Sequence, residues 1–247
     1  MKPMLSIDKE KSSVFLKRVT RPMWLLTLFS MIGAFGVYWV INHLIAPKYM
    51  IWCEMDDYIP FLANFALAYV YWFGFLPVAF VQMLWHKDDN TDRAKIDFIR
   101  FMRLYFISWV ICLICYLLFP SAITFRPTPD EIGYDSFCTA GLALTYSGFD
   151  LPNNVIPSLH CTSTLACCVA MFSSDFVRRS PARVLYYIYY VLFAFLICSS
   201  TVFVKQHSIL DFFASAAIII VLYPLVYKVD WTPVVERLKA LLASIKK

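Results

Sequence analysis

The stretch Thr201–Asp211 reads TVFVKQHSILD and carries Lys205, His207 and Asp211 between two long apolar runs, where charge is costly. His207 and Asp211 are four positions apart, so on a helix they share a face, one turn from each other. A carboxylate against an imidazole fixes its tautomer and steadies the positive charge gained during reaction. Lys205, two positions earlier, adds a cation able to hold an anion. Taken alone, the stretch reads equally well as a membrane-edge Lys and His with Asp211 capping or pairing locally.

Two upstream stretches add to it. Phe125-Arg126-Pro127 lies in a long connector, and Pro157-Ser158-Leu159-His160 opens an apolar run. Two histidines, an Arg, a Lys and a Ser, with two helix starts whose amides and dipoles favour anions, point to a phosphate ester. In that chemistry His207, oriented by Asp211, attacks phosphorus and becomes a phospho-histidine. His160 protonates the departing alkoxide and then activates the acceptor. Arg126, Ser158 and Lys205 bind the phosphate oxygens. These donors do the work that a metal does elsewhere, so neither a metal nor a cofactor is expected.

The elements that must position these groups are helices in a bilayer. The chain has 247 residues, 60% of them hydrophobic and only 16% charged, with a mean hydropathy of +0.64. That excludes an ordinary soluble domain. The predicted fold is all-α: a polytopic membrane protein with six transmembrane helices and both termini cytoplasmic, forming one domain over 1–247. The spans fall at roughly 22–46, 60–85, 101–119, 157–177, 184–203 and 206–227, with hydrophilic breaks at 86–100 and 178–183. The motifs occupy a core of about 101–228, and 231–247 reads as an amphipathic surface helix.

With that layout, 19 of the 22 Lys and Arg fall on the side of the termini. The positive-inside rule makes that side cytoplasmic. The exceptions are Lys48, Arg126 and Lys205, and two of them belong to the suspected site. The net charge of +5 is spread over loops and termini, so it marks a membrane surface and not a nucleic-acid partner. Most of the eight cysteines lie in apolar runs as small hydrophobes; Cys53 and Cys138 fall in outer connectors, where a disulfide is conceivable. The acidic residues Glu54, Asp56 and Asp57 read as part of an interfacial connector, and Asp150, Asn153 and Asn154 as turn or cap residues, with substrate contact as the lesser alternative.

In order and separation, the three stretches resemble the signature of the type 2 phosphatidic acid phosphatase superfamily of membrane lipid phosphatases and phosphotransferases. That signature runs Lys, six residues, Arg-Pro; then Pro-Ser-Gly-His; then Ser-Arg, five residues, His, three residues, Asp. This chain departs from it in having Phe119 for the Lys, Leu159 for the Gly and Thr201 for the Arg, while Ser200 is kept. Two phosphate-binding cations are thus missing, and Lys205 stands in for one from a different position. The form KQH-SIL-D resembles the branch of inositol-phosphorylceramide-synthase-like proteins, which holds transferases as well as hydrolases.

The resemblance implies an integral membrane enzyme that hydrolyses a lipid phosphate monoester or diphosphate ester, without metal, at the outer leaflet of the plasma or inner membrane. The alternatives are a phosphotransferase with an alcohol acceptor and a catalytically silent lipid-binding relative. A small transporter is disfavoured, since few ionisable residues fall mid-span. The lipid, the acceptor and the oligomeric state are not legible.

Overall fold

The computed structural model describes residues 23–85, 91–231, 233 and 236–237. The basic segment 1–21 and most of the expected surface helix at 231–247 lie outside these residues. Helix α1 spans Met23–Leu44, followed by a two-residue strand β1 (Tyr49–Met50) and a short helix α2 (Glu54–Tyr58). A 3-10 turn at Ala63–Phe65 leads into α3 (Ala66–Trp85), which runs through Pro77. Helix α4 (Thr91–Leu118) and strand β2 (Ser121–Ala122) come next. Two short helices, α5 (Pro129–Ile132) and α6 (Phe137–Leu144), precede α7 (Leu159–Ser173) and α8 (Asp175–Arg179). Helices α9 (Arg183–Phe203) and α10 (Ile209–Tyr227) complete the fold.

The chain is an all-α membrane protein: among the described residues, Ala63–Met83, Arg93–Leu118, Arg183–Phe203 and Ile209–Tyr227 are each long and apolar enough to cross a bilayer. Ile32–Leu44 and Leu159–Ser173 are apolar but shorter. The second of these is the hub of the molecule. Helix α7 packs against α3, α4, α9 and α10, and Cys161, Ala166, Cys167, Ala170 and Met171 are completely buried on it. Small side chains such as Cys, Ser, Thr and Ala let neighbouring backbones approach closely, which is how helices associate in lipid.

One end of the bundle is tied by chain crossings. Strands β1 and β2 pair in parallel just beyond α1 and α4, and Ala122 bridges to Asn153 ahead of α7. The Leu62 amide donates to the Phe203 carbonyl (2.9 Å), joining the start of α3 to the end of α9. At the opposite end the Asp175 amide donates to Asp97 Oδ2 (2.6 Å).

Three features differ from the sequence reading. The polar residues 91–100 are helical and extend α4 well before its expected start near residue 101, because Asp97 turns inward to cap α8. The fourth apolar run breaks at Ser174, whose hydroxyl accepts from the Val177 amide (3.2 Å) and starts α8. The connector 120–155, read as a long loop, is largely structured by α5, α6 and a π-type turn at Thr145–Phe149 in which Gly148 adopts φ +138°. Cys53 and Cys138 are free thiols.

Candidate active site

Helix α10 begins with a capping box. The Ser208 hydroxyl accepts from the Leu210 amide (3.2 Å), and the Ser208 amide donates to Asp211 Oδ2 (3.1 Å). The box turns that carboxylate back toward the preceding residue, where Oδ2 stands 2.9 Å from His207 Nδ1. Nδ1 is also 3.0 Å from the Val155 carbonyl. Both neighbours are acceptors, so Nδ1 carries the proton and Nε2 presents a lone pair. Burial lowers the basicity of His207, but the hydrogen bond and charge of Asp211 outweigh it and hold the imidazole above its ordinary pKa. The expected contact is therefore made, though not by a helical turn. His207 precedes the helix, in a turn where the amides of Gln206 and His207 both donate to the Thr201 carbonyl (2.9 and 3.0 Å) and Lys205 adopts φ +58°.

His160 is the second residue of α7, after the N-cap Ser158, whose hydroxyl accepts from the Cys161 amide (3.3 Å). Its ring lies against Tyr69 and Trp72 of α3, with centroids 4.4 and 4.2 Å away. His160 Nε2 is buried with no hydrogen-bond partner among the described residues. The His160 and His207 ring centroids are 6.2 Å apart. Both rings line a cavity of about 80 Å³. That is several times the roughly 10–15 Å³ needed by one water. One phosphoryl group placed there can touch both rings.

The three residues expected to bind phosphate stand behind this cavity and do not line it. Arg126 donates from Nη1 to the Asp150 carbonyl and to Gln206 Oε1 (both 2.8 Å) and from Nη2 to the Tyr146 carbonyl (3.5 Å), with its guanidinium 4.0 Å from the Tyr146 ring centre. Burial lowers its pKa, while Tyr146 and Asp150 push it back up. Lys205 donates to the Asp56 carbonyl (2.6 Å) and lies 5.4 Å from the Phe125 ring centre. Ser158 is fully buried; besides capping α7, its carbonyl accepts from the Ser215 hydroxyl (3.0 Å). The structure thus brings His160 and His207 to one cavity, with Asp211 hydrogen-bonded to His207, and leaves Arg126, Ser158 and Lys205 off the cavity wall.

Two carboxylates, read from the sequence as connector and turn residues, are tied to the same end of the bundle. Asp56 is 1% exposed. Its Oδ2 accepts from the Ser208 hydroxyl (2.6 Å) and the Cys53 amide (3.0 Å), and its Oδ1 accepts from the Ile209 amide (2.9 Å). A negative charge at the positive end of α10 is favourable. Nothing in the run Glu54, Asp56, Asp57 distinguishes the one residue that turns inward. Asp150 lines the cavity: Oδ1 accepts from the Tyr38 hydroxyl (3.0 Å), and Oδ2 accepts from the Tyr69 hydroxyl (3.0 Å) and from Gln206 Nε2 (2.7 Å). Asn42 fixes the same loop by donating to the Leu151 and Asn153 carbonyls (3.4 and 2.9 Å). The only sequence signal for this network is Gln206, adjacent to His207 in the motif.

Comparison with protein-family models, with characterised proteins and with solved structures finds no match.

Proposed function

We propose that this protein is an integral membrane enzyme that cleaves a lipid phosphoester through a phospho-histidine intermediate. In this reading it crosses the bilayer six times with both termini in the cytoplasm and the site on the non-cytoplasmic side, which the distribution of Lys and Arg supports. The observation that carries the reading is the pairing at one cavity of His207, with Nδ1 held by Asp211 and Val155, and His160, whose buried Nε2 has no hydrogen-bond partner among the described residues.

In the first half-reaction His207 Nε2 attacks phosphorus. The bond from phosphorus to the lipid oxygen breaks, and that oxygen takes a proton from His160. Asp211 stabilises the charge that His207 gains. In the second half, water gives a proton to His160 as its oxygen attacks phosphorus. The P–N bond breaks, phosphate leaves and His207 is restored. An alcohol in place of water makes the same step a transfer. The amides of Leu159 and His160 have no protein acceptor among the described residues and lie where α7 begins, so they are placed to hold phosphate oxygens.

The test offers the purified protein a panel of lipid phosphates, lipid diphosphates and phosphodiester lipids in the presence of EDTA, and measures phosphate release and phosphoenzyme. Metal-free turnover with a label on His207 is the expected result. Turnover abolished by EDTA, or a label that survives His207→Ala, overturns the mechanism. A new phosphodiester lipid formed only when an alcohol is added identifies the transferase.

A further inference from the structure

Between Asp135 and Asp150 the chain runs for 14 residues, SFCTAGLALTYSGF, without a charged side chain. A run of that length is too short to cross a bilayer and fits either a core helix or one lying in the membrane interface. Helix α6 fills its first half. One side of α6 is core: Leu142 and Ala143 are buried with Ala66 and Tyr69 of α3, and Tyr146 and Val204 join them. The other side is bare. Phe137 is 85% exposed and Leu144 71%. Gly141 between them is exposed as well. These three stand at i, i+4 and i+7, so they form one stripe. Tyr134, just ahead of the helix, is also exposed. The short helix α2 differs, because its exposed residues mix Glu54 and Asp57 with Met55 and Tyr58.

The ends of α6 are finished as a lipid environment demands. Where water is scarce, terminal amides and carbonyls must find partners within the chain. At the start, Ser136 Oγ accepts from the Thr139 amide (3.1 Å), and the Ser136 carbonyl accepts from the Thr139 hydroxyl (3.0 Å). At the end, the Thr145 hydroxyl donates to the Gly141 carbonyl (2.8 Å) and the Ser147 hydroxyl to the Leu144 carbonyl (2.7 Å). The stripe also continues the outer wall of a span: Leu67 and Val70, next in sequence to Ala66 and Tyr69 of α3, are exposed. A second copy of the chain fits the stripe poorly. Two helical turns, about 12 Å long and about 10 Å wide, present on the order of 100 Å². A stable interface needs roughly 800 Å² from each partner.

We infer that α6 docks on the lipid surface, lying in the bilayer interface with Phe137, Gly141 and Leu144 turned toward the acyl chains and Tyr134 at headgroup level. The inner side of the same segment leads to the cavity. The Tyr146 ring carries the Arg126 guanidinium, and Tyr69, packed on α6, stacks against His160 (4.4 Å). Seating α6 in the interface therefore holds the cavity of His160 and His207 near the depth of the lipid headgroups. The inference needs the chain to be a membrane protein and does not need the phospho-histidine reaction.

The experiment reads depth by electron paramagnetic resonance on the full-length chain in phosphatidylcholine vesicles. Cys53, Cys115 and Cys138, the free cysteines that are not buried, are first replaced by serine. A nitroxide is then attached through Phe137→Cys, Leu144→Cys or, as a control in water, Asp130→Cys. Power saturation compares collisions with oxygen, which concentrates in lipid, and with a nickel chelate, which stays in water. The logarithm of the oxygen-to-nickel ratio should be positive at 137 and 144 and negative at 130. Negative values at 137 and 144 put the stripe in water and overturn the inference. Shielding from both agents means that protein covers the stripe, as in an oligomer, and overturns it too. A second measurement needs no substitution: the wild type is photolysed in vesicles whose phosphatidylcholine carries a diazirine on its acyl chain, and adducts are mapped by mass spectrometry. Adducts within 136–144 are expected, and adducts confined to the long spans overturn the inference. Neither readout depends on turnover, so failure of the phospho-histidine mechanism leaves this result standing.

Discussion

Helices α7 and α10 begin alike and are finished differently. Each opens on a serine N-cap beside a histidine, and both meet at one end of the bundle, where the Ser158 amide reaches the Asp211 carbonyl (3.5 Å). At α10 the first amides are already occupied: Ile209 donates to Asp56 Oδ1 and Leu210 to Ser208 Oγ. The positive end of that helix holds two buried carboxylates, Asp56 and Asp211, and has nothing left for a ligand anion. At α7 the cap is a neutral serine bound to Cys161, and the amides of Leu159 and His160 remain without an acceptor among the described residues. The two helix starts expected to grip phosphate together therefore divide the work. In the proposed reaction, one fixes the nucleophile and the other receives the oxyanion.

The sharpest way to break this division is to remove the histidines in turn. His207→Ala should abolish phosphoenzyme and lower turnover by about four orders of magnitude or more, as loss of a nucleophile does. His160→Ala should cost roughly 10²–10⁴-fold with a lipid substrate. Unlike the His207 variant, it should still form phosphoenzyme from a p-nitrophenyl ester, whose leaving group needs no proton. Rapid-quench labelling decides between them, and equal loss with both leaving groups would mean that the roles are not separate.

Next in size is the buried cap of α10. Asp56→Ala strands the Ser208 hydroxyl and the Ile209 and Cys53 amides. It should destabilise the protein by about 3 kcal/mol. Ser158→Ala, which removes a single neutral cap at α7, should cost only about 1 kcal/mol. Thermal unfolding in detergent compares the two, and similar losses would erase the asymmetry.

A smaller effect lies in the pH profile. In the proposed reaction only the neutral imidazole of His207 can attack, and Asp211 holds its pKa above the ordinary value. In the proposed mechanism the acid limb of kcat/KM should therefore be shifted upward from that of an ordinary histidine, with activity rising as pH passes upward through it. Asp211→Asn removes the raising influence and leaves burial, so the limb should move to lower pH even as the rate falls. A limb that stays in place would show that Asp211 serves only the cap.

Much of this molecule was legible in one dimension. The apolar runs gave the helices, because a segment in lipid must be apolar along its length and bonded within itself. His160, His207 and Asp211 were legible because they sit within short, spaced motifs. Arg126 and Lys205 were legible as residues but not as contacts. A cation in the sequence carries no label saying whether it meets a ligand or a carbonyl, and Arg126 turns to Gln206 and the loop at Asp150. Asp56 was missed, and Asp150 was taken first for a turn or cap residue, because each looks like one more acidic residue in a connector.

The sequence by itself determined that this is an all-helical membrane protein and singled out the two imidazoles and the carboxylate that lie together at one end of the bundle, since hydropathy and local spacing are properties of neighbouring residues. The tertiary structure alone decided which charges face the cavity. Asp56 reaches Ser208 across 152 positions, and Tyr38 reaches Asp150 across 112. Contacts at that range depend on how the helices pack, and in a desolvated interior they decide which charges are matched.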